Sequence, residues 1–253
     1  MKGALVTGAG LRIGRALAEA LAADGFFVFV HYNRSAAGAR ATVGAITAAG
    51  GRAKAVRADL SSARQAEALV GKCRARGVRL TCLVNNASLF KLDRAPVAKA
   101  ADFDLHMAIN LRAPLLLSQA LARQLPAGET GVIVNVLDQK LVNLNPDFLC
   151  YTLSKVGLGG LTTLLAQSFA PRLRVAGIAP GLTLRSGSQT DARFAEQHAA
   201  NPLGVGVMTG DLVRALRFIL ATPSYTGDTI VVDGGEHLTG RPRDIAFDQK
   251  KKQ

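Results

Sequence analysis

Short runs of apolar and β-branched residues alternate along this chain with alanine-rich stretches. The apolar runs are bounded by glycine or polar residues, which is typical of strands, whereas the alanine-rich stretches carry apolar residues at helical spacing. The predicted strands are GALVT, FFVFVHY, AKAVRA, LTCLVNN, GVIVNV, LRVAGIAP and TIVVDGG, and the predicted helices span about residues 13–24, 36–49, 63–75, 100–124, 151–169 and 211–220.

Alternation of strands and helices indicates βαβ units and therefore a parallel sheet. We predict an α/β fold: a Rossmann-type, doubly wound parallel sheet of seven strands with helices on both faces, in a single domain. In such a sheet the loops at the carboxyl ends of the strands meet where the strand order reverses. The functional site should therefore be built from residues that directly follow the strands.

We expect a single domain to account for nearly the whole chain. With 253 residues, 49% of them hydrophobic, the chain is long enough for one large domain. We assign residues 1–240 to this domain and residues 241–253 to a C-terminal tail, in which Pro242 argues against a continuous helix. Residues 182–208 contain no clear strand and are predicted to form a substrate lid with a short helix near residues 192–199.

The formal net charge of +13 raises the question of a nucleic-acid partner. The basic residues are spread along the chain, however, and only the final QKKKQ forms a run, which is typical of a solvated tail. We expect a small-molecule substrate, no nucleic-acid partner, and a positive field that favours an anionic cofactor.

The sequence shows no signal peptide and no uninterrupted apolar run long enough for a bilayer, so we expect a cytoplasmic protein without a membrane partner. The three cysteines form no CxxC pair, which favours buried thiols in a reducing compartment over a metal site. We therefore expect neither a metal ion nor a catalytic cysteine.

The segment TGAGLRIG follows the first predicted strand and opens a helix, the context in which a glycine pattern indicates a dinucleotide site. Gly8, Gly10 and Gly14 allow a tight turn and a close approach of the backbone to a pyrophosphate on the helix N-terminus. Arg12 stands where a further glycine is usual, and Ile13 lies beside it in the predicted cofactor site.

The end of the second strand, HYNRS, decides between NAD and NADP. An acidic residue there binds the 2′-hydroxyl of NAD, whereas cationic or hydroxyl groups suit the 2′-phosphate of NADP. The segment has no acid, and Arg34 and Ser35, helped by His31, suit a phosphate. We therefore predict NADPH as the cofactor, with Tyr32 and Asn33 in the same site.

The third and fourth strands end in further candidate contacts. Asp59, followed by Leu60, either accepts a hydrogen bond from the adenine amino group or caps the next helix. The segment NNAS follows the fourth strand, where its side chains can fix the turn and face the cofactor. Its candidate residues are Asn86, Ala87 and Ser88.

The segment YTLSK places Tyr151 and Lys155 four positions apart, so that their side chains share one face of a helix. With TGAGLRIG, NNA, Asn110, APG and VVDGG in this order, the chain resembles the short-chain dehydrogenases/reductases almost from end to end. The resemblance implies that Tyr151 is the general acid, that Lys155 binds the nicotinamide ribose and lowers the pKa of the tyrosine, and that Asn110 holds a proton-relay water.

The same resemblance implies a homotetramer with the TIVVDGG region near an interface. It also implies that the segment after the sixth strand runs past the nicotinamide carboxamide. The candidate contacts there are Pro180, Gly181 and Thr183.

One departure from the family pattern narrows the range of candidate substrates. The usual serine, which donates a hydrogen bond to a substrate carbonyl, is replaced by Asp138, and an ionised carboxylate cannot donate. A ring C=N, whose nitrogen must gain a proton, is the more suitable acceptor. Asp138 and Tyr151 together could supply or relay that proton.

Arg12 is a second departure, because it replaces the penultimate glycine of the pattern TGxxxGxG. With HYNRS, NNASLF and Asp138, it makes the chain similar to the pteridine reductases and the bacterial dihydromonapterin reductases. That resemblance implies a pterin held between the nicotinamide and Phe90, with Ser88 and Arg12 binding the ring and the cofactor phosphates. Predicted substrate contacts are Arg12, Ser88, Phe90, Asp138 and Tyr151.

Two other functions are compatible with these motifs. The first is an NADPH-dependent carbonyl reductase, for example of a 3-oxoacyl thioester, that uses Tyr151 and Lys155 without a serine. The second is a cofactor-binding regulatory protein without turnover, against which the presence of Tyr151, Lys155 and Asn110 argues.

Overall fold

The computed structural model describes residues 1–185 and 189–247. Its strands form one parallel sheet in the order β3-β2-β1-β4-β5-β6-β7, which reverses between β1 and β4. The predicted doubly wound, Rossmann-type sheet of seven strands is confirmed. The strands are β1 Lys2–Val6, β2 Phe27–Tyr32, β3 Arg52–Arg57, β4 Arg79–Asn85, β5 Gly131–Val136, β6 Leu173–Pro180 and β7 Thr229–Val232.

Helices cover both faces of the sheet. They are α1 Arg12–Ala23, α2 Ala36–Ala48, α3 Ala63–Lys72, α4 Ala100–Met107, α5 Ala113–Gln124, α6 Leu149–Phe169, α7 Asp191–His198 and α8 Thr209–Ala221. The single helix predicted over residues 100–124 is wrong in one respect, because a wider π-helical turn, Ala108–Arg112, separates α4 from α5. Such turns occur frequently at functional sites, and this one carries Asn110.

The inner strands pack against helices on both faces, which explains why they are nearly continuous hydrophobic runs, whereas only one residue of the edge strand β3 is buried. On β1, Ala4 and Val6 face a core shared with α1, α2 and α8, whereas Leu5 faces a core shared with α3, α5 and α6. The same alternation places Phe29 and Ile133 in the second core. The two cores fix the sheet between its helix layers, and so fix where the strand ends meet.

Helix α6 is the one helix of the described residues that is long and apolar enough to cross a bilayer by length and composition. Half of its most apolar window is buried inside the protein. It packs against β6 and carries Tyr151 and Lys155 on its buried side.

Candidate active site

A cleft of about 1050 Å³ opens at the carboxyl ends of the strands. Most of the predicted cofactor residues border it, and they come from segments far apart in the sequence. These are Gly8, Arg12, Ile13, Gly14, His31, Asn33, Asp59, Leu60, Asn86, Ala87, Ser88, Tyr151, Lys155, Pro180, Gly181 and Thr183. The predicted residues that do not border it are Gly10, Tyr32, Arg34, Ser35 and Asn110.

The glycine turn after β1 has the close packing that a dinucleotide site needs. Gly8 has a φ of +63°, and a Cβ at Gly14 would lie 2.4 Å from the Gly8 carbonyl oxygen. The N-terminus of α1 therefore rests directly on the turn, and its first turn contains no acidic residue. This cradle fits a pyrophosphate. Gly10 instead allows close packing against α2, since a Cβ there would lie 3.0 Å from Ala39 N.

Arg12 adopts the left-handed conformation, with a φ of 56°. The left-handed conformation costs a residue with a Cβ roughly 1–2 kcal/mol of conformational energy, which explains why glycine is usual at this position. Its guanidinium donates to the carbonyl oxygens of Arg185 at 2.6 Å and Leu184 at 3.2 Å. Arg12 therefore links the glycine turn to the loop after β6, and its contacts with phosphate and substrate stay a prediction.

His31 has a different role from the one predicted. Its Nδ1 accepts a hydrogen bond from Gly8 N at 3.1 Å, so Nε2 carries the proton and donates to the Ala58 carbonyl at 3.1 Å. Burial lowers the pKa of His31 to about 4. The imidazole is therefore neutral and positions the glycine turn, and it is not a cation that helps Arg34 and Ser35 bind phosphate.

Two cations lie near the end of β2. The hydroxyl and N–H of Ser61 hold the pKa of Asp59 below its usual range, and the charges of Arg34 and Arg57 lower it further. Arg57 also donates to the Asn33 carbonyl. Sequence reasoning found Arg34 but missed Arg57, because their proximity depends on the parallel pairing of β2 with β3.

Asp59 does not cap helix α3. Ser62 is the N-cap residue, and its hydroxyl accepts a hydrogen bond from Gln65 N. The helix-cap alternative for Asp59 is therefore wrong, and the predicted contact with adenine stays a prediction.

We expect Arg34→Ala to raise the Kd for NADPH by about 10- to 100-fold and to leave that for NADH nearly unchanged, because a hydrogen bond to a charged group contributes roughly 1.5–3 kcal/mol. Fluorescence titration with each nucleotide measures both values. Arg40→Ala, which removes an exposed arginine from α2, is the matched control. Equal loss of NADPH and NADH affinity would contradict the assignment of Arg34 to the 2′-phosphate.

The turns after β1 and β4 are joined by Thr7, which sequence reasoning missed. Its hydroxyl accepts hydrogen bonds from the backbone N–H groups of Asn86 and Ala87, both at 2.9 Å. The Asn86 side chain donates in return to the Thr7 carbonyl at 2.8 Å. These contacts hold both turns at the switch point of the sheet.

Three of the predicted catalytic side chains, Asp138, Tyr151 and Lys155, border the cleft. Tyr151 Oη donates to Asp138 Oδ2 at 2.6 Å, and Asp138 Oδ1 accepts from Lys140 N at 2.9 Å. Lys155 Nζ donates to the Val136 carbonyl at 2.7 Å and lies 5.7 Å from the centre of the Tyr151 ring. The residue in the serine position is therefore an acceptor for the tyrosine.

Burial and the neighbouring carboxyl of Asp138 raise the pKa of Tyr151 well above its ordinary value. Asp138 thus favours the protonated phenol, and the lowering of this pKa by Lys155 stays a prediction. Burial also raises the pKa of Asp138 and lowers that of Lys155 to about 8. The phenol is therefore a proton donor at neutral pH, and the carboxyl next to it can accept and release a proton.

Asn110 is buried beside the catalytic groups. Its Oδ1 accepts from Leu89 N at 2.7 Å, and its Nδ2 donates to the Leu89 carbonyl and to Ser154 Oγ, both at 2.9 Å. The side chain thus fixes the loop after β4 against α6. Its role in holding a relay water stays a prediction.

The profile described as "short chain dehydrogenase" matches residues 2–197. The chain belongs to the short-chain dehydrogenase family. An uncharacterised oxidoreductase of Methylorubrum extorquens is 36% identical over 92% of this chain and 97% of its own length. A 3-oxoacyl-[acyl-carrier-protein] reductase of Synechocystis is 31% identical over 92% of this chain and 95% of its own length.

Among solved structures, this short-chain dehydrogenase resembles the FolM alternative dihydrofolate reductase 1 of Brucella suis, which was crystallised in complex with NADP. The two are 40% identical, with a TM-score of 0.90 over 94% of this chain and 95% of the other. The similarity thus covers nearly the whole chain. The chain is therefore an oxidoreductase of this family.

The substrate end of the cleft in this short-chain dehydrogenase has an aromatic wall. Phe90 is 47% exposed, stacks on Phe148 with ring centres 4.2 Å apart, and meets Tyr151 edge-on at 4.7 Å. Phe90 is thus a cleft residue and is not buried in the core. Ser88, whose hydroxyl contacts only the neighbouring Leu89 carbonyl in the described structure, borders the same space.

The segment after β7 returns to the cleft, which sequence reasoning missed. As Pro242 indicates, it forms no continuous helix, but residues 244–247 border the cleft and Arg193 of α7 donates to the Ala246 carbonyl at 2.7 Å. Residues 241–247 therefore pack on the domain and do not form a solvated tail. The basic run QKKKQ lies outside the described residues.

Asp147 anchors this segment. Its side chain is fully buried and accepts hydrogen bonds from Arg94 Nε at 2.9 Å, Arg243 Nε at 2.7 Å and Asp244 N at 3.0 Å. The bond from Arg243 is the largest cause that lowers the pKa of Asp147 from 3.8 to about 2. Lys140 completes the anchor through an ion pair with Asp244 at 2.9 Å.

We expect Asp147→Asn to lower the free energy of unfolding at pH 7 by about 2 kcal/mol, the value that corresponds to this pKa shift. Because the folded-state pKa is depressed, this stability is present above about pH 4 and is lost as pH falls toward 2. Urea unfolding at pH 7 and pH 3 measures the difference. Asp104→Asn, on the exposed side of α4, is the control. An equal deficit of the Asp147→Asn variant at both pH values would contradict the ionic anchor.

Proposed function

We propose that this short-chain dehydrogenase is an NADPH-dependent pterin reductase, which converts a dihydropterin, or a related pterin or folate, to its more reduced form. The observation that carries the proposal is the 2.6 Å contact of Tyr151 with Asp138, in the position of the family's serine. An acceptor there cannot polarise a ketone, but it can take part in moving a proton to a ring nitrogen.

NADP(H) fits the cofactor half of the cleft. The glycine turn receives the pyrophosphate, and Arg34 and Arg57 provide positive charge for the 2′-phosphate. The similar Brucella suis protein holds NADP. In this assignment Lys155 binds the nicotinamide ribose, and Pro180, Gly181 and Thr183 border the nicotinamide.

When bound, NADPH supplies a hydride to the carbon of the substrate's C=N bond. The proton for the nitrogen comes from the chain. Tyr151 holds a proton at neutral pH because its pKa is raised, and Asp138 exchanges a proton with the phenol through the hydrogen bond that joins them. Asn110 keeps the adjoining loop and Ser154 in place beside this pair.

Support for a flat heterocycle comes from the aromatic wall. Phe90 borders the cleft and is partly exposed, and its stacking on Phe148 fixes the orientation of its ring. Offset stacking of a planar ligand on an aromatic side chain is favourable. The FolM protein of Brucella suis, to which this chain is similar, is described as an alternative dihydrofolate reductase.

The second candidate is reduction of a 3-oxoacyl thioester, which the similarity to the Synechocystis enzyme favours. Initial rates of NADPH oxidation with 7,8-dihydrobiopterin or dihydromonapterin, measured beside acetoacetyl-coenzyme A, distinguish the two. We expect turnover of the pterin and little of the thioester. Turnover of the thioester alone would refute the proposal.

We also propose that the protein is a cytoplasmic homotetramer. Exposed apolar side chains on α4 and α6, among them Phe103, Val156 and Leu164, provide surface for association of subunits. Light scattering coupled to size exclusion should give about four times the chain mass of 26.5 kDa. A monomer mass at micromolar concentration would refute it.

A further inference from the structure

Two buried polar side chains border the cleft and have no part in the chemistry described above. Glu236, which begins the short helical turn Glu236–Thr239 after β7, is 4% exposed. Gln139, directly after Asp138 in the sequence, is 7% exposed. Because both line the cleft that contains Tyr151 and Asp138, they face the same ligand space.

The hydrogen-bonding capacity of these two side chains is poorly used. Gln139 Nε2 donates to Glu236 Oε1 across 3.4 Å, and Leu182 N donates to Glu236 Oε2 across 3.5 Å, both near the limit for a hydrogen bond. Gln139 Oε1 is buried and has no hydrogen-bond partner among the described residues. Buried carboxylate and carbonyl oxygens normally have donors, so the pair offers unused acceptors to a ligand.

The charges that face Glu236 also favour a ligand rich in donors. Burial raises the pKa of Glu236 to about 7, and the carboxyls of Asp138 and Asp244 raise it as well. The N–H of Leu182 and the charge of Arg241 act in the opposite direction. A neutral or cationic group with N–H donors therefore fits this position, whereas an anion does not.

We propose that Glu236 and Gln139 together bind the donor edge of the substrate, a ring N–H beside an exocyclic amino group, as the 2-amino-4-oxo edge of a pterin presents it. This inference rests on the proposed function and deepens it. Two parallel N–H donors match a carboxylate in the same fork geometry as a guanidinium, and Gln139 Oε1 accepts a further hydrogen of the amino group. A 2-oxo analogue places an oxygen against the carboxylate and loses this recognition.

The test compares 6-methylpterin with 6-methyllumazine, in which a 2-oxo group replaces the 2-amino group. Their Kd values are measured by fluorescence titration of the enzyme saturated with NADP⁺. We expect the wild-type protein to bind the pterin at least about 10-fold more tightly, which corresponds to about 1.4 kcal/mol and is the contribution expected of a hydrogen bond to a charged group. In Glu236→Gln the pterin should bind no more than about twofold more tightly than the lumazine. In Gln139→Met the ratio of the two Kd values should be about threefold smaller than in the wild-type protein.

Glu67→Gln removes an exposed carboxylate from α3 and is the matched control, which should keep the wild-type preference. Binding of NADP⁺ and circular dichroism check that each variant is folded. As pH rises from 6 to 7.5, pterin affinity of the wild-type protein should increase, since the carboxylate form binds the donor edge. In Glu236→Gln this increase should disappear.

An unchanged preference for the pterin in folded Glu236→Gln would overturn the inference. A loss of NADP⁺ affinity with an unchanged preference for pterin over lumazine would also overturn it, because Glu236 and Gln139 would then bind the cofactor and not the substrate. Turnover of dihydropterin by the wild-type protein is measured separately. Its absence refutes the proposed function, whereas turnover with unchanged preference in the variants refutes only the binding role of Glu236 and Gln139.

Discussion

Tyr151→Phe is expected to lower kcat for pterin reduction by about 10²–10⁴-fold, the contribution typical of a positioned general acid. The phenol is the proton donor closest to Asp138, and it carries its proton at neutral pH. The phenylalanine ring keeps the packing against Phe90, so the site should retain its shape. Single-turnover rates with NADPH and dihydropterin measure the effect.

The Kd for NADPH should stay within about threefold of the wild-type value in this variant, because Lys155 keeps its contact with the Val136 carbonyl. Tyr225→Phe removes the same hydroxyl from a tyrosine that packs on Phe218 outside the cleft, and it serves as the control. A Tyr151→Phe enzyme with nearly full activity would mean that Asp138 delivers the proton without the phenol.

Asp138→Ser is expected to lower kcat/KM for the pterin by at least about 10²-fold and to raise that for acetoacetyl-coenzyme A. The substitution removes the carboxyl that exchanges a proton with Tyr151 and introduces a neutral donor for a carbonyl oxygen. It also frees the phenol to donate to a substrate. Initial-rate measurements with both substrates give the ratio of the two specificities.

Asp138→Asn separates the two effects of Asp138→Ser, which are the loss of proton exchange with Tyr151 and the gain of a hydrogen-bond donor. The amide keeps the shape of the side chain and can donate to a carbonyl, but it cannot exchange a proton. We expect it to lose pterin reduction as Asp138→Ser does, with a smaller gain toward the thioester. Full pterin turnover in either variant would contradict a proton-transfer role for Asp138 and leave the proposed function without its main support.

The fold could be predicted because its determinants are local. Apolar runs bounded by turns predicted the seven strands of the described residues, and their alternation with helices predicted a doubly wound parallel sheet. The π-helical turn at Asn110 was missed because it inserts into an otherwise regular helical pattern. No property of the sequence separates such a turn from a continuous helix.

The site could be predicted only in part, and the reason differs among residues. Tyr151 and Lys155 lie within one helix, so their spacing alone places them together. Glu236 and Gln139 are 97 positions apart in the sequence, and only the folded sheet brings their side chains together. His31 shows a third limit, because its neutral state depends on its burial and on the hydrogen bond that Nδ1 accepts from Gly8 N.

The segment after β7 contributes to the cleft wall from outside the part of the chain that the family profile matches. The family profile ends at residue 197 and contains every predicted catalytic side chain, whereas Glu236 and residues 244–247 lie beyond it. The catalytic side chains and this part of the cleft wall thus lie in separate stretches of the sequence, although Phe90 and Phe148 of the aromatic wall lie within the profile. Substitutions at Glu236 or in residues 244–247 therefore alter the cleft wall while Asp138, Tyr151 and Lys155 stay the same.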